Sequence, residues 1–208
     1  MKRKWMYKRV AGVVLSLVLF LGGVALVQNI LDNQNKDLQD NTVVKIDEGQ
    51  KENKEIKQEQ SLKSPVSENI GIVRYFYDKN DDIAKQEQSL ILFEGVYRPN
   101  QGVDYSNKNE AFEVKAAIDG TITKKTNDPV LGWIVTITHD NKISTSYQAL
   151  SKVNVEVNQI VKQGDTIGMS GENIYEADLK NHLHFILQKD GQILNPEKYI
   201  NKLISEIK

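Results

Sequence analysis

The chain contains no cysteine. Disulfide frameworks, Cys-ligated zinc and thiol catalysis are therefore excluded. Charge of one sign is also lacking. The 27 Lys and Arg face 28 Asp and Glu, so no global bias draws the protein to nucleic acid. Histidine is scarce, at three in 208 residues. From residue 70 onward, helix-length periodic segments are missing except at the extreme C-terminus. Any chemistry based on imidazole has to come from His139, His182 and His184.

What is present begins with an address. Residues 10–27, VAGVVLSLVLFLGGVALV, are uncharged and almost wholly apolar. As a helix they would span about 27 Å, close to the roughly 30 Å of a bilayer's hydrocarbon core. Lys2, Arg3, Lys4, Lys8 and Arg9 precede the run, and Asp32, Asp37 and Asp40 follow it. The positive-inside rule places residues 1–9 in the cytoplasm, residues 10–28 as a single transmembrane anchor, and the remainder outside. The run is longer than the ~7–15 residues of a signal peptide's apolar region and has no clear small-residue cleavage site. It reads as an anchor rather than a cleaved leader.

Residues 29–69 are rich in Gln, Asn, Lys and Glu and lack aromatics. Such a segment buries too little apolar area to offset its ordering entropy, so it reads as a polar stalk. As a coil of about 40 residues it would reach roughly 35 Å on average. No regular apolar heptads appear in it.

From residue 70 to 208 the pattern is all-β. Apolar, β-branched and aromatic runs alternate with Gly, Asn and Asp turns. The expected strands are 71–77, 89–97, 112–118, 120–126, 133–140, 142–150, 166–171, 182–188 and 192–196. His139–Lys142 and Lys189–Gln192 read as hairpin turns. Asn195 and Pro196 read as the cap and first residue of a short closing helix.

Within NHLHF (181–185), residues two apart share a face of a strand. His182 and His184 therefore stand together on one side, and Leu183 and Phe185 on the other. Six motifs now line up in order: NQGVD (100–104), VKAAIDGTIT (114–123), LGWIVTITHDN (131–141), STSYQALSKVNVEVNQIVKQGDTIGMSG (144–171), NHLHF and DGQILNPEKYI (190–200). Over about residues 88–200 they resemble the lysostaphin-type, or LytM-type, zinc peptidases of cell-wall peptidoglycan. The resemblance implies a twisted antiparallel sheet of the LytM, duplicated-hybrid-motif type, with a groove. It further implies zinc held by the His and Asp of H-x-x-x-D and by the second His of H-x-H. The first His of H-x-H and another in Y-x-H-L would assist the attacking water.

Carried over residue by residue, Asp104 matches the aspartate ligand and Gly102 the glycine before it. His184 matches the histidine ligand, and His182 one water-activating histidine. Asn100 stands where the other ligand histidine belongs, and Ala149 where the second water-activating histidine belongs. A carboxamide oxygen is a weak zinc ligand beside an imidazole nitrogen. Asp104 and His184 alone fall short of the three protein ligands of a catalytic zinc. His139 lies beside a hairpin turn, where the family also often has His without a catalytic role. The expectation is a domain that is not an enzyme, with no cofactor and no metal, weak zinc binding being left open. His182, His184 and Asp104 become remnants lining a groove, hydrogen-bonded to Asn100 and water. The segment GENIYEADLK (171–180) brings Glu172, Glu176 and Asp178 to the groove rim. A lipoyl-type carrier role for Lys162, in a polar tight turn, is set aside.

Anchor, stalk and emptied domain together resemble a sporulation branch of this family in endospore-forming Firmicutes. LFEGVYRPNQGVDYS, DPVLGW, YQALS and NPEKYI carry that likeness. It implies a forespore membrane protein whose domain faces the space between the two membranes. There it would bind stage III sporulation protein AH of the mother cell, supporting engulfment and an intercellular channel. Strand addition to an exposed sheet edge is the contact such a domain offers most readily. Self-assembly into an oligomer or ring, and contact with peptidoglycan, stay open. The alternatives are a zinc-dependent peptidoglycan endopeptidase and an amidase-activating LytM factor of the division site.

Overall fold

The computed structural model describes residues 59–208. The basic tail, the anchor at 10–28 and the stalk up to residue 58 lie outside the described residues. Among the described residues no helix is long and apolar enough to cross a membrane.

Alternating apolar and polar residues build twelve strands. They are β1 (Gly71–Arg74), β2 (Leu90–Phe93), β3 (Val96–Pro99), β4 (Val103–Ser106), β5 (Glu113–Lys115), β6 (Gly120–Asp128), β7 (Gly132–Thr138), β8 (Ile143–Val153), β9 (Ile160–Val161), β10 (Thr166–Ser170), β11 (Leu183–Lys189) and β12 (Gln192–Leu194). The main sheet is antiparallel and runs β1-β4-β11-β8-β7-β6-β9, with β12 beside β11 and β10 pairing with both β5 and β8. A separate hairpin, β2-β3, stands off this sheet. It corrects the expectation of one strand over 89–97: Glu94 and Gly95 take positive φ (50° and 75°) and turn the chain back. Asp190 and Gly191, also at positive φ (51° and 78°), close the expected β11-β12 hairpin. Such paired left-handed residues match the right-handed twist of the flanking strands.

Two local expectations change. One short helix, α1 (Ile83–Gln88), appears where none was expected, and the Asp82 carboxylate caps it by accepting from the Lys85 N–H. The closing segment forms two 3-10 turns, Pro196–Lys198 and Ile204–Glu206, rather than an α-helix. Asn195 does cap the first of them, accepting from the Glu197 N–H.

The core lies between the curled sheet and the C-terminal turns. Tyr147, Phe185, Leu183, Leu187, Ile122, Ile137 and Ile167 are fully buried there. Each such aliphatic or aromatic side chain contributes roughly 1.5–3 kcal/mol on burial. Leu62, Val66 and Ile70 belong to the same core. Ser61 bridges to Leu203, and the Leu62 N–H donates to the Lys202 carbonyl at 2.9 Å. Composition places 60–69 in the polar stalk, but its spaced apolar residues anchor it to the domain.

Candidate functional site

The register of the sheet assembles the site. Arg74 of β1 pairs with Asp104 of β4, Asp104 with His184 of β11, and His184 with Gln148 of β8. One row across four strands therefore reads cation, anion, imidazole, amide. Cross-strand neighbours in such a row are close enough for their side chains to interact directly. As expected from the alternation in NHLHF, Leu183 and Phe185 face the core while His182 and His184 share the other face, all four buried.

Arg74, Asp104 and His184 in the row each have a side-chain partner. The His184 Nδ1–H donates to Asp104 Oδ1 at 2.7 Å, and the Asn100 amide donates to Asp104 Oδ2 at 2.9 Å. Asn100 also donates to the Tyr75 carbonyl at 3.0 Å, and its own oxygen accepts from the Gly102 N–H at 3.2 Å. The approach at Gly102 is tight. A Cβ there would lie 2.6 Å from the Phe185 carbonyl oxygen and 2.8 Å from the His184 ring. His182 bonds the Lys180 carbonyl through Nδ1 at 2.7 Å and reaches Glu176 Oε2 through Nε2 at 3.4 Å.

Glu176 corrects an expectation. The loop 171–180 was expected to carry it on the groove rim, yet it is 1% exposed. Its backbone N–H donates to Asn173 Oδ1 at 2.7 Å, which folds the loop inward. Its carboxylate faces the Arg74 guanidinium at 3.3 Å and His184 Nδ1 at 3.7 Å. Arg74, 6% exposed, also pairs with the exposed Asp178. Sequence places Glu176 only on the groove rim and does not single out Arg74 at all. The available signal was Arg74's place inside the apolar run GIVRYFY, although strict alternation would set it with Ile72 on the core face and an irregularity between the two turns it toward Asp104 instead. A charged residue on an inward face calls for a buried partner.

These contacts set the protonation. Burial opposes charge on His184, but the Asp104 and Glu176 carboxylates outweigh it and raise its pKa to about 9. Burial likewise pushes Glu176 up, and the charge on His184, the hydrogen bond from His182 and the Arg74 cation bring it down to about 2. His182 is raised: burial works against the charged ring, and its hydrogen bond to Glu176 prevails.

Asp104, Glu176 and His184 bring one donor atom each to within 4.8 Å of one another, all buried. As arranged they do not fit a catalytic zinc. Both Asp104 oxygens are taken, by His184 and Asn100. Asn100 turns its N–H₂, a donor, toward the carboxylate where a ligand lone pair would be needed. The Glu176 oxygens accept from Arg74 and from Asn173. Ala149 is buried, sits at φ 60°, and holds only a methyl group. Among the described residues no buried side-chain nitrogen or oxygen lacks a hydrogen-bond partner.

Beside this cluster opens a cleft of about 710 Å³ lined by Phe93, Arg98, Leu131, Gln148, Tyr175 and His184, among others. The Phe93 and Tyr175 rings pack at 5.0 Å across it, which makes Tyr175 a cleft residue. Trp133 instead packs against the core and lies under the Lys125 ammonium, 5.9 Å away. His139 is remote from the site. Its ring bonds the Asp119 carbonyl and Thr145 Oγ1, each at 2.8 Å.

Comparison with known proteins places this geometry. Residues 98–196 match peptidase family M23. A zinc-containing peptidase from Vibrio cholerae shares the fold, with a TM-score of 0.54 and 23% identity over 66% of this chain and 39% of that one. A SpoIIQ-SpoIIIAH pore-forming complex includes a chain with a TM-score of 0.69 and 39% identity, over 71% of this chain and 95% of its own length. Stage II sporulation protein Q of Bacillus subtilis (strain 168) is 33% identical over 216 residues, which cover 99% of this chain and 74% of the relative. With its M23 domain and a likeness that runs the whole length of the chain, this protein belongs to the stage II sporulation protein Q family.

Proposed function

We propose that the chain is a non-catalytic, membrane-anchored sporulation protein. Its LytM-like domain binds the mother-cell protein SpoIIIAH in the space between forespore and mother cell, and so supports engulfment and an intercellular channel. One observation carries the binding part: the similarity to the relative in the SpoIIQ-SpoIIIAH complex spans nearly all of that relative's resolved chain. The non-catalytic part rests on the site, where Asn100 and Ala149 occupy the two positions that ligand and base would need. In this reading residues 1–9 are cytoplasmic, 10–28 cross the membrane and 29–69 form the stalk, whose end packs onto the domain through Leu62 and Val66. The domain faces outward from the forespore membrane.

Sheet topology supplies an edge for the contact. β6 pairs with β7 over Thr121–Asp128, but on its other side β9 covers only Gly120 and Thr121. The outer edge of β6 beyond Ile122 has no strand partner among the described residues. At the opposite edge, β1 has four residues, interrupted by an irregularity between Ile72 and Arg74. The longer β6 edge is the better template for an added strand, where main-chain bonds give affinity and alternate side chains give specificity. Hydrogen exchange on the full chain, with and without the extracellular domain of SpoIIIAH, tests this. Amides of residues 123–128 gain protection on binding. Tight binding with no protection on either edge strand would sink the strand-addition model. Release of peptidoglycan fragments by the zinc-supplemented chain, abolished by Asp104→Ala, would overturn the non-catalytic reading.

A further inference from the structure

Arg74 lies outside the segment that matches family M23, which begins at residue 98. Its guanidinium nevertheless reaches the interior of the site, because β1 adds to the sheet beside β4 and sets Arg74 opposite Asp104. It is held there by Glu176, which the 171–180 loop folds inward, 102 positions along the chain. The result is a buried cation next to the three side chains that otherwise come nearest to a metal site, Asp104, Glu176 and His184. A guanidinium stays charged at any physiological pH, and its planar fork matches a carboxylate. Buried carboxylates need a compensating charge. Here Arg74 supplies part of it, beside the His184 ring that lies 2.7 Å from Asp104 and 3.7 Å from Glu176.

We infer that Arg74 takes over the charge-balancing place a metal dication would hold, making this a metal-independent ion cluster that fastens β1 and the 171–180 loop to β4 and β11. A dication brought between Asp104, Glu176 and His184 would meet the guanidinium already seated on Glu176, and would have to break the Asp104–His184 and Arg74–Glu176 contacts to gain ligands. The site thus refuses zinc because its anions are occupied, and not only because a histidine is missing at Asn100. This step rests on the non-catalytic reading but can fail without it.

The test is thermal unfolding and zinc calorimetry of the full chain in EDTA and in added zinc chloride. For the wild type, the melting temperature is the same in both. Arg74→Gln melts lower in EDTA, and it gains zinc affinity by at least about tenfold, a change of roughly 1.4 kcal/mol. That gain disappears when His184→Ala is added. Arg74→Lys keeps the charge, stays folded and stays indifferent to zinc, so the proposal remains exposed even if the Gln variant fails to fold. Zinc stabilisation of the wild type, a zinc response in Arg74→Lys, or an Arg74→Gln variant no more responsive than the wild type would each overturn the inference. Wild-type protein that binds zinc, still leaves peptidoglycan intact and still binds SpoIIIAH would refute this inference alone.

Discussion

Tyr147→Phe removes one oxygen from the centre of the core and tests a hydrogen-bonded chain that crosses it. The His139 ring is mostly buried, and desolvation lowers its pKa, so it is neutral. One nitrogen must then donate and the other accept. Nδ1 faces the Asp119 carbonyl at 2.8 Å, which can only accept, so Nδ1 carries the proton. Nε2 therefore accepts from the Thr145 hydroxyl at 2.8 Å. Thr145 Oγ1 is also the donor toward the Tyr147 oxygen at 3.0 Å, so its one proton is shared between Nε2 and that oxygen. The Tyr147 oxygen in turn accepts from the Ala117 N–H at 2.9 Å. Burial of the phenol pushes the Tyr147 pKa up to about 12, so its proton stays on.

Phenylalanine at 147 keeps the ring and its 5.3 Å packing on Phe185. The cost is then confined to polar groups. Thr145 keeps its bond to His139, whereas the buried Ala117 N–H is left without an acceptor. An orphaned buried donor costs about 1–3 kcal/mol. For a domain of this size, each kcal/mol moves the melting temperature by roughly 2–4 °C. Urea unfolding of the full chain followed by tryptophan fluorescence gives the number, with an unchanged m-value showing that only stability moved. A loss below about 0.5 kcal/mol, the usual range of a surface substitution, would refute the orphaned-donor reasoning.

The same histidine predicts a pH dependence. Its folded pKa lies below the unfolded value of 6.5, so the unfolded state binds the proton more readily. The stability it contributes is fully present above pH 6.5 and is lost as the pH falls through the folded pKa. The urea midpoint should therefore drop on acidification in this window, with a shallower slope in His139→Asn; an equal slope in both would remove His139 as the cause. Gly102→Ala forces a Cβ to within 2.6 Å of the Phe185 carbonyl oxygen. That overpacking should cost about 1–3 kcal/mol and disturb the His184 ring, visible as shifted imidazole resonances by NMR.

Residues that carry local patterns were legible before the structure. His182 and His184 declared a shared polar face because strand alternation is strictly local, and ordered motifs around them fixed the sheet type. The placement of Asp104 beside His184 followed from the same motifs. What sequence did not disclose was set by register between distant segments. Arg74 meets Glu176 only because β1 joins the sheet beside β4 and the 171–180 loop folds back over it. Glu176 in particular reads as a solvated acid on composition, and one hydrogen bond to Asn173 is what turns it inward. Leu62 and Val66 were obscured in the same way, since two apolar residues in a polar tract score as stalk until their partners on the domain are known.

That asymmetry bears on what holds the site together. Asp104 and His184 face each other in a buried space, with Asn100 on the second carboxylate oxygen. Arg74 and Glu176 join them from outside the motif as a pair, Arg74 reaching Asp178 as well and Glu176 reaching both histidines. Breaking a buried ion pair by deleting one partner typically costs about 3–5 kcal/mol, whereas replacing both with apolar residues can be neutral. In the proposed binding role, the part this cluster plays is to fasten the edge strand β1 and the 171–180 loop into one fixed surface.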